Sequence, residues 1–146
     1  MAPRLPQALA DEIVAHARAE APFESCGLVI GSAPDGEGGI ALRYVACRNR
    51  LASRYRYEVH PQDLVRTVTE AEDAGEALWG IVHSHVASAA VPSARDLELA
   101  TWPDALQIVI SLAGEVPEVR ASWITDGVAH DAGLEIALPP RTHPHP

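Results

Sequence analysis

The chain contains no lysine: all eleven basic residues are arginines, set against twenty acidic ones, and the formal net charge is −9. An acidic surface repels phosphate backbones, which argues against a nucleic-acid partner. Cysteine is scarce. Cys26 and Cys47 are the only two and do not form a CxxC pair. That pattern does not suit a secreted disulfide scaffold, and two free thiols in a reducing compartment are expected. No apolar run approaches the ~20 residues that cross a bilayer. The opening stretch, MAPRLPQALADEIVAHARAE, also lacks the continuous apolar segment of a secretory signal. A membrane partner is therefore not expected, and the expected location is cytoplasmic.

What is present suits one α/β domain. The 146 residues, 47% of them apolar, suffice to bury a core without staples. No repeat or linker divides the chain. The domain is expected over residues 1–138, followed by a disordered tail, PPRTHPHP, at 139–146. In residues 6–20, Leu9, Ile13, Val14 and Ala17 share a helical face, and Pro22 ends the pattern. CGLVIGS (26–32) and IALRYVAC (40–47) read as a hairpin around the turn-forming APDGEGG. YRYEV (55–59) alternates like a strand, and the cluster around Arg54, Tyr55, Arg56 and Tyr57 reads as an ordinary edge strand. Pro61 opens a helix that Gly75 closes. ALWGIVHSH (77–85) is a strand that turns polar at its end. SARDLELATW (93–102) is a short helix, and ALQIVISLAG (105–114) another buried strand. PEVRASWIT (117–125) pairs through Asp126-Gly127 with VAHDAGLEIAL. Hairpin-length turns among mixed elements predict a mixed, mostly antiparallel sheet flanked by helices.

The chemistry concentrates in His83-Ser84-His85 and the following Ser93-Ala94-Arg95-Asp96. Positions i and i+2 of a strand face the same way, so both imidazoles can aim at one point. Asp96 lies one turn into the next helix, and the intervening loop can fold it back. Two imidazoles and a carboxylate make a three-ligand zinc site with an open fourth position, which is the hydrolytic arrangement. The competing reading is ordinary: a surface HxH pair beside a helix start, since Ser93 and Asp96 also match the S-x-x-D capping box. No acid lies between the histidines. Glu24, just before a buried strand, is the candidate general base, because shielding from water raises a carboxylate's pKa. Its competing reading is a solvated loop glutamate.

These residues resemble the JAMM (JAB1/MPN/Mov34) metallopeptidases: an upstream Glu, then H-[ST]-H, seven residues, Ser, two residues, Asp. Here the pattern is Glu24, His83-Ser84-His85, Ser93 and Asp96, over roughly residues 6–125. The resemblance implies a cytidine-deaminase-like fold, with His83, His85 and Asp96 as Zn2+ ligands. It implies Glu24 as the acid/base and Ser93 as a donor to the tetrahedral oxyanion. Ser84, facing the other way, receives no role. Many members have Pro after the second His; here it is Val86, which bears on loop shape and not on ligation. The short chain resembles the compact bacterial group. That group is linked to ubiquitin-like, ThiS-like sulfur carrier proteins, cut after their C-terminal Gly-Gly to release an amino acid such as cysteine or a C-terminal extension. Arg48 and Arg95 have the chemistry to meet a released residue's carboxylate, but nothing in the sequence places them. Two alternatives stand beside the peptidase. One is an inactive MPN-type scaffold, disfavoured because all four site positions are present. The other is a zinc deaminase, which needs an H-x-E and a P-C-x-x-C that this chain lacks.

Overall fold

The computed structural model describes residues 2–98 and 100–139. Its elements in chain order are β1 (Arg4–Pro6), α1 (Gln7–Glu20), β2 (Cys26–Gly31), β3 (Ala41–Cys47), α2 (Pro61–Asp73), β4 (Ala77–His85), α3 (Ala94–Glu98), β5 (Leu106–Ser111), β6 (Glu118–Thr125), β7 (Val128–Asp131) and β8 (Glu135–Ala137). Six strands form one sheet in the order β3-β2-β4-β5-β6-β7. Within this sheet, among the described residues, only β4 and β5 run parallel, with α3 in the crossover between them; the other pairs of the sheet are antiparallel. This is the expected mixed, mostly antiparallel sheet with flanking helices. Among the described residues no helix is long and apolar enough to cross a membrane.

α1 buries Leu9, Ala10, Ile13 and Ala17, a stripe at helical spacing. The stripe packs on Val29, Val82, Ile108 and Ile110 from the strands. The opposite face of the sheet carries a smaller cluster of Cys26, Leu28, Cys47 and Ile81, with Leu64 of α2 packed against it. α2 begins at Pro61 and ends before Gly75, whose φ of 72° suits glycine. Gly27 in β2 is required for a different reason: a Cβ there would collide with the Tyr44 ring on β3. Cys26 and Cys47 stand opposite each other in the β2–β3 register, yet both are free and buried.

Three local expectations differ from the structure. Residues 55–58 form no strand; only Val59 makes an isolated bridge, to Asn49. The helix expected over 93–102 spans Ala94–Glu98. The segment after Asp126-Gly127 is not one long strand. Val128–Asp131 pairs with β6, and Glu135–Ala137 leaves to pair in parallel with β1. Of the expected tail, residues 140–146 lie outside the described residues.

Candidate metal centre

The site grows from the C-terminal end of β4. Ile81, His83 and His85 alternate onto one face, and Ile81 belongs to the smaller apolar cluster. The strand therefore delivers two imidazoles where its apolar face ends. Both rings are buried. His83 Nε2 and His85 Nε2 are 3.2 Å apart.

Asp96 arrives from the other direction. Ser93 Oγ accepts from Asp96 N at 3.1 Å, and Asp96 Oδ2 accepts from Ser93 N at 2.8 Å. That reciprocal pair is a capping box, and it starts α3. The same Oδ2 lies 3.0 Å from His83 Nε2 and 3.3 Å from His85 Nε2. The capping reading of Ser93 and Asp96 and the ligand reading of Asp96 thus describe one arrangement: the cap holds the carboxylate turned toward the histidines.

Three donor atoms form a triangle with sides of 3.0–3.3 Å. A tetrahedral ion with bonds of about 2.0–2.1 Å spaces its ligands by about 3.3–3.4 Å. The residues present therefore fit a zinc-sized ion. The histidine tautomer fits as well. His85 Nδ1 lies 2.8 Å from the Ala89 carbonyl, which can only accept. The proton therefore sits on Nδ1 and leaves the Nε2 lone pair for a metal. His83 is held by packing: the Tyr57 ring stacks on it at 4.2 Å and 12°, while its buried Nδ1 has no hydrogen-bond partner.

Glu24 completes the cluster. Its carboxylate and the two histidines offer ligand atoms that all lie within 4.8 Å of one another. The side chain is buried, and Oε1 has no hydrogen-bond partner. Burial raises its pKa to about 7, with the Asp96 charge assisting and His85 opposing. Burial also pushes His83 below the ordinary imidazole range. For His85, burial is outweighed by hydrogen bonds to Asp96 and Ala89, and the ring titrates higher than usual. Burial of Asp96 is likewise outweighed by its histidine contacts, which hold it far below the carboxylate range.

Glu24 is positioned through its backbone. Glu24 N donates to the Ser53 carbonyl at 2.8 Å, and Asn49 Nδ2 donates to the Glu24 carbonyl at 3.1 Å. Ser84, which the sequence reading left without a role, accepts from Ser25 N through Oγ at 2.7 Å and donates its own N–H to the Ser25 carbonyl at 3.0 Å. The residue between the two histidines thereby ties the Glu24 segment to β4. Asn49 and Tyr57 were also missed. Their only signal was a polar loop ending in an alternating aromatic stretch.

Two hollows flank the cluster. One, about 870 Å³, is lined by Arg56, Tyr57, Arg95, Asp96 and Trp102 among others. The second, about 880 Å³, is lined by Glu24, Phe23, Arg48 and Arg66 among others. Arg48 is not available to a ligand as a lone cation, because it is hydrogen-bonded to the buried Asp63 at 2.9 Å.

Comparison with known proteins agrees with this geometry. The chain is 33% identical over 129 residues to the CysO-cysteine peptidase of Mycobacterium tuberculosis, covering 88% of this chain and 86% of that one. It is 35% identical over 112 residues to the desampylase of Haloferax volcanii, covering 73% and 78%. The solution structure of a Desulfitobacterium hafniense protein superposes with a TM-score of 0.81 at 30% identity, over 97% of this chain and 99% of that one. The family model described as prokaryotic homologs of the JAB domain matches residues 6–125. That span contains every member of the buried cluster, and the chain belongs to this prokaryotic JAB-domain family.

Proposed function

We propose that the chain is a zinc peptidase. Its reaction is hydrolysis of the bond after the C-terminal Gly-Gly of a small ubiquitin-fold sulfur carrier, releasing an amino acid such as cysteine or a C-terminal extension. The observation that carries this reading is the convergence of His83 Nε2, His85 Nε2 and Asp96 Oδ2 at 3.0–3.3 Å beside a buried carboxylate with a pKa near 7. The names of the two curated relatives, a CysO-cysteine peptidase and a desampylase, support the substrate class.

In this reading His83, His85 and Asp96 hold the zinc. The ion, when bound, supplies a Lewis acid that polarises the scissile carbonyl and acidifies a water. Glu24 takes the proton from the attacking water and returns it to the leaving nitrogen. A pKa near 7 suits a group that must both accept and release that proton at neutral pH. Ser93 is exposed. Its Oγ accepts from Asp96 N, which leaves the hydroxyl hydrogen to donate to the tetrahedral oxyanion. The reaction balances simply: OH adds to the glycyl carbonyl carbon, H adds to the departing amine, and the C–N bond breaks.

The test is direct. Zinc-loaded protein is incubated with a ubiquitin-fold carrier ending in Gly-Gly-Cys, and product masses are read. Loss of the terminal cysteine is expected; an unchanged mass overturns the reading. Metal analysis separates the scaffold alternative. About one zinc per folded chain is expected, and folded protein that holds none after refolding with zinc is a scaffold.

A further inference from the structure

We propose that the groove beside Asp96 is the leaving-group subsite, in which Arg95 and Arg56 bind the free α-carboxylate of the released residue; this rests on the peptidase reading above. Charge accounting across the two hollows is the first support. Arg50 also lines this groove but is neutralised by Glu58 at 2.6 Å. In the second hollow, Arg48 and Arg66 both pair with Asp63. Among the described residues no ion pair involves Arg56 or Arg95, and both line the same groove. In a chain of net charge −9, two arginines left without carboxylates in one groove mark a place that attracts an anion.

Position is the second support. Each arginine directly precedes a residue of the cluster. Arg95 precedes Asp96, which touches both histidines, and Arg56 precedes Tyr57, which stacks on His83. Adjacent Cα atoms are about 3.8 Å apart, so each arginine's backbone lies next to that of a residue touching the histidines. The α-carboxylate carbon of a terminal residue lies only two bonds from the nitrogen released on cleavage, so it falls in the same neighbourhood. Guanidinium is also the side chain best matched to a carboxylate, through two parallel N–H donors.

Size is the third support. About 870 Å³ is within the ~300–1,000 Å³ range of small-molecule sites, which suits a free residue or short extension. An isopeptide to a lysine of a folded protein places no carboxylate there, because that lysine's own carboxyl is an amide of the chain. The site therefore favours trimming of a carrier terminus over release of a carrier from a protein conjugate.

The experiment compares two forms of one probe: a ubiquitin-fold carrier ending in Gly-Gly-Ala, as the free acid and as the C-terminal amide, each offered to the zinc-loaded protein. The acid is expected to show about 10- to 100-fold higher kcat/KM, the difference of one charge-assisted pair. Arg95→Ala and Arg56→Ala, alone and together, are expected to erase that preference by bringing the rate on the acid down to the rate on the amide. Equal rates on acid and amide by the unaltered protein overturn the subsite but leave the peptidase reading standing. Equal loss on both forms in the variants also overturns it. Cleavage of neither form overturns the peptidase reading and the subsite with it.

Discussion

On one face of the sheet, α1 lays Leu9, Ile13 and Ala17 over Val29, Val82, Ile108 and Ile110, and every one of these side chains is buried and apolar. On the other face, where α2 packs through Leu64, Ile81 gives way along the same strand to His83 and His85, which meet Tyr57 from a loop and Asp96 from the short helix α3. The two faces share β4, yet alternate residues of that strand do opposite work. Val82 faces the packed core, while His83 faces a cluster of titratable groups. The packed face supplies rigidity mainly through apolar contacts. The other face uses that rigidity to hold polar groups at 3.0–3.3 Å from one another, a geometry a mobile scaffold cannot maintain. Substitutions on the two faces should therefore fail in different ways.

The largest effect is expected at Glu24. Glu24→Gln keeps the shape and the zinc, but loses on the order of 10³-fold in cleavage rate through loss of the acid/base. Metal analysis and carrier-cleavage kinetics are run on the same preparation. Full activity in this variant removes Glu24 from the chemistry. Next comes Asp96→Ala, expected to weaken zinc binding by on the order of 10²–10³-fold, a per-ligand share of the ~10–16 kcal/mol that zinc sites supply. Competition against a chelator measures it, and unchanged affinity strikes Asp96 from the ligand set.

The packed face gives the contrasting result. Ile13 is 1% exposed, so Ile13→Ala is expected to cost about 3 kcal/mol of unfolding free energy, from lost burial and the cavity left behind. Denaturant unfolding reads this directly. Zinc affinity of the protein that remains folded is expected to stay unchanged. A variant that is folded but binds zinc poorly would break the division between the faces.

Much of this division was legible beforehand, for physical reasons that also explain the failures. β4 occupies 77–85 as expected, because a continuous apolar run ending in polar residues has few other solutions. The HxH spacing needed only the two-residue period of a strand. Asp96 was expected to fold back through the loop, and the capping pattern, read from the sequence as a competing explanation, is what turns it toward the histidines. The cover was not legible. YRYEV alternates in sequence, yet Tyr57 packs inward on His83 while Tyr55, two residues earlier, is exposed. A half-buried loop and an edge strand produce the same pattern. The loop's conformation comes from Asn49, whose side chain makes hydrogen bonds to Glu24, Leu51, Arg56 and Glu58. No periodicity encodes that. The β1–β8 pairing joins three residues from each end of the chain, too short to leave a pattern in either segment.

The smallest effect expected is also the one that best weighs the cost of the polar face. Glu24 has its pKa raised from an ordinary 4.5 to about 7 in the folded, metal-free chain, so the folded state binds this proton more tightly than the unfolded state. The sign follows from linkage. The protonated carboxyl adds stability that is fully present below pH 4.5 and lost as pH rises through about 7. Glutamine stays neutral at every pH and escapes that loss. In chelator-treated protein, Glu24→Gln and the parent should melt together near pH 4. At pH 8.5 the variant should melt about 2–6 °C higher. Coincident melting at both pH values would mean that the carboxylate keeps its hydration in the folded chain. A higher melting point at alkaline pH in the less active variant would mean that the chain carries a buried base at the expense of its own stability, the opposite of what Leu9, Ile13 and Ala17 do on the α1 face.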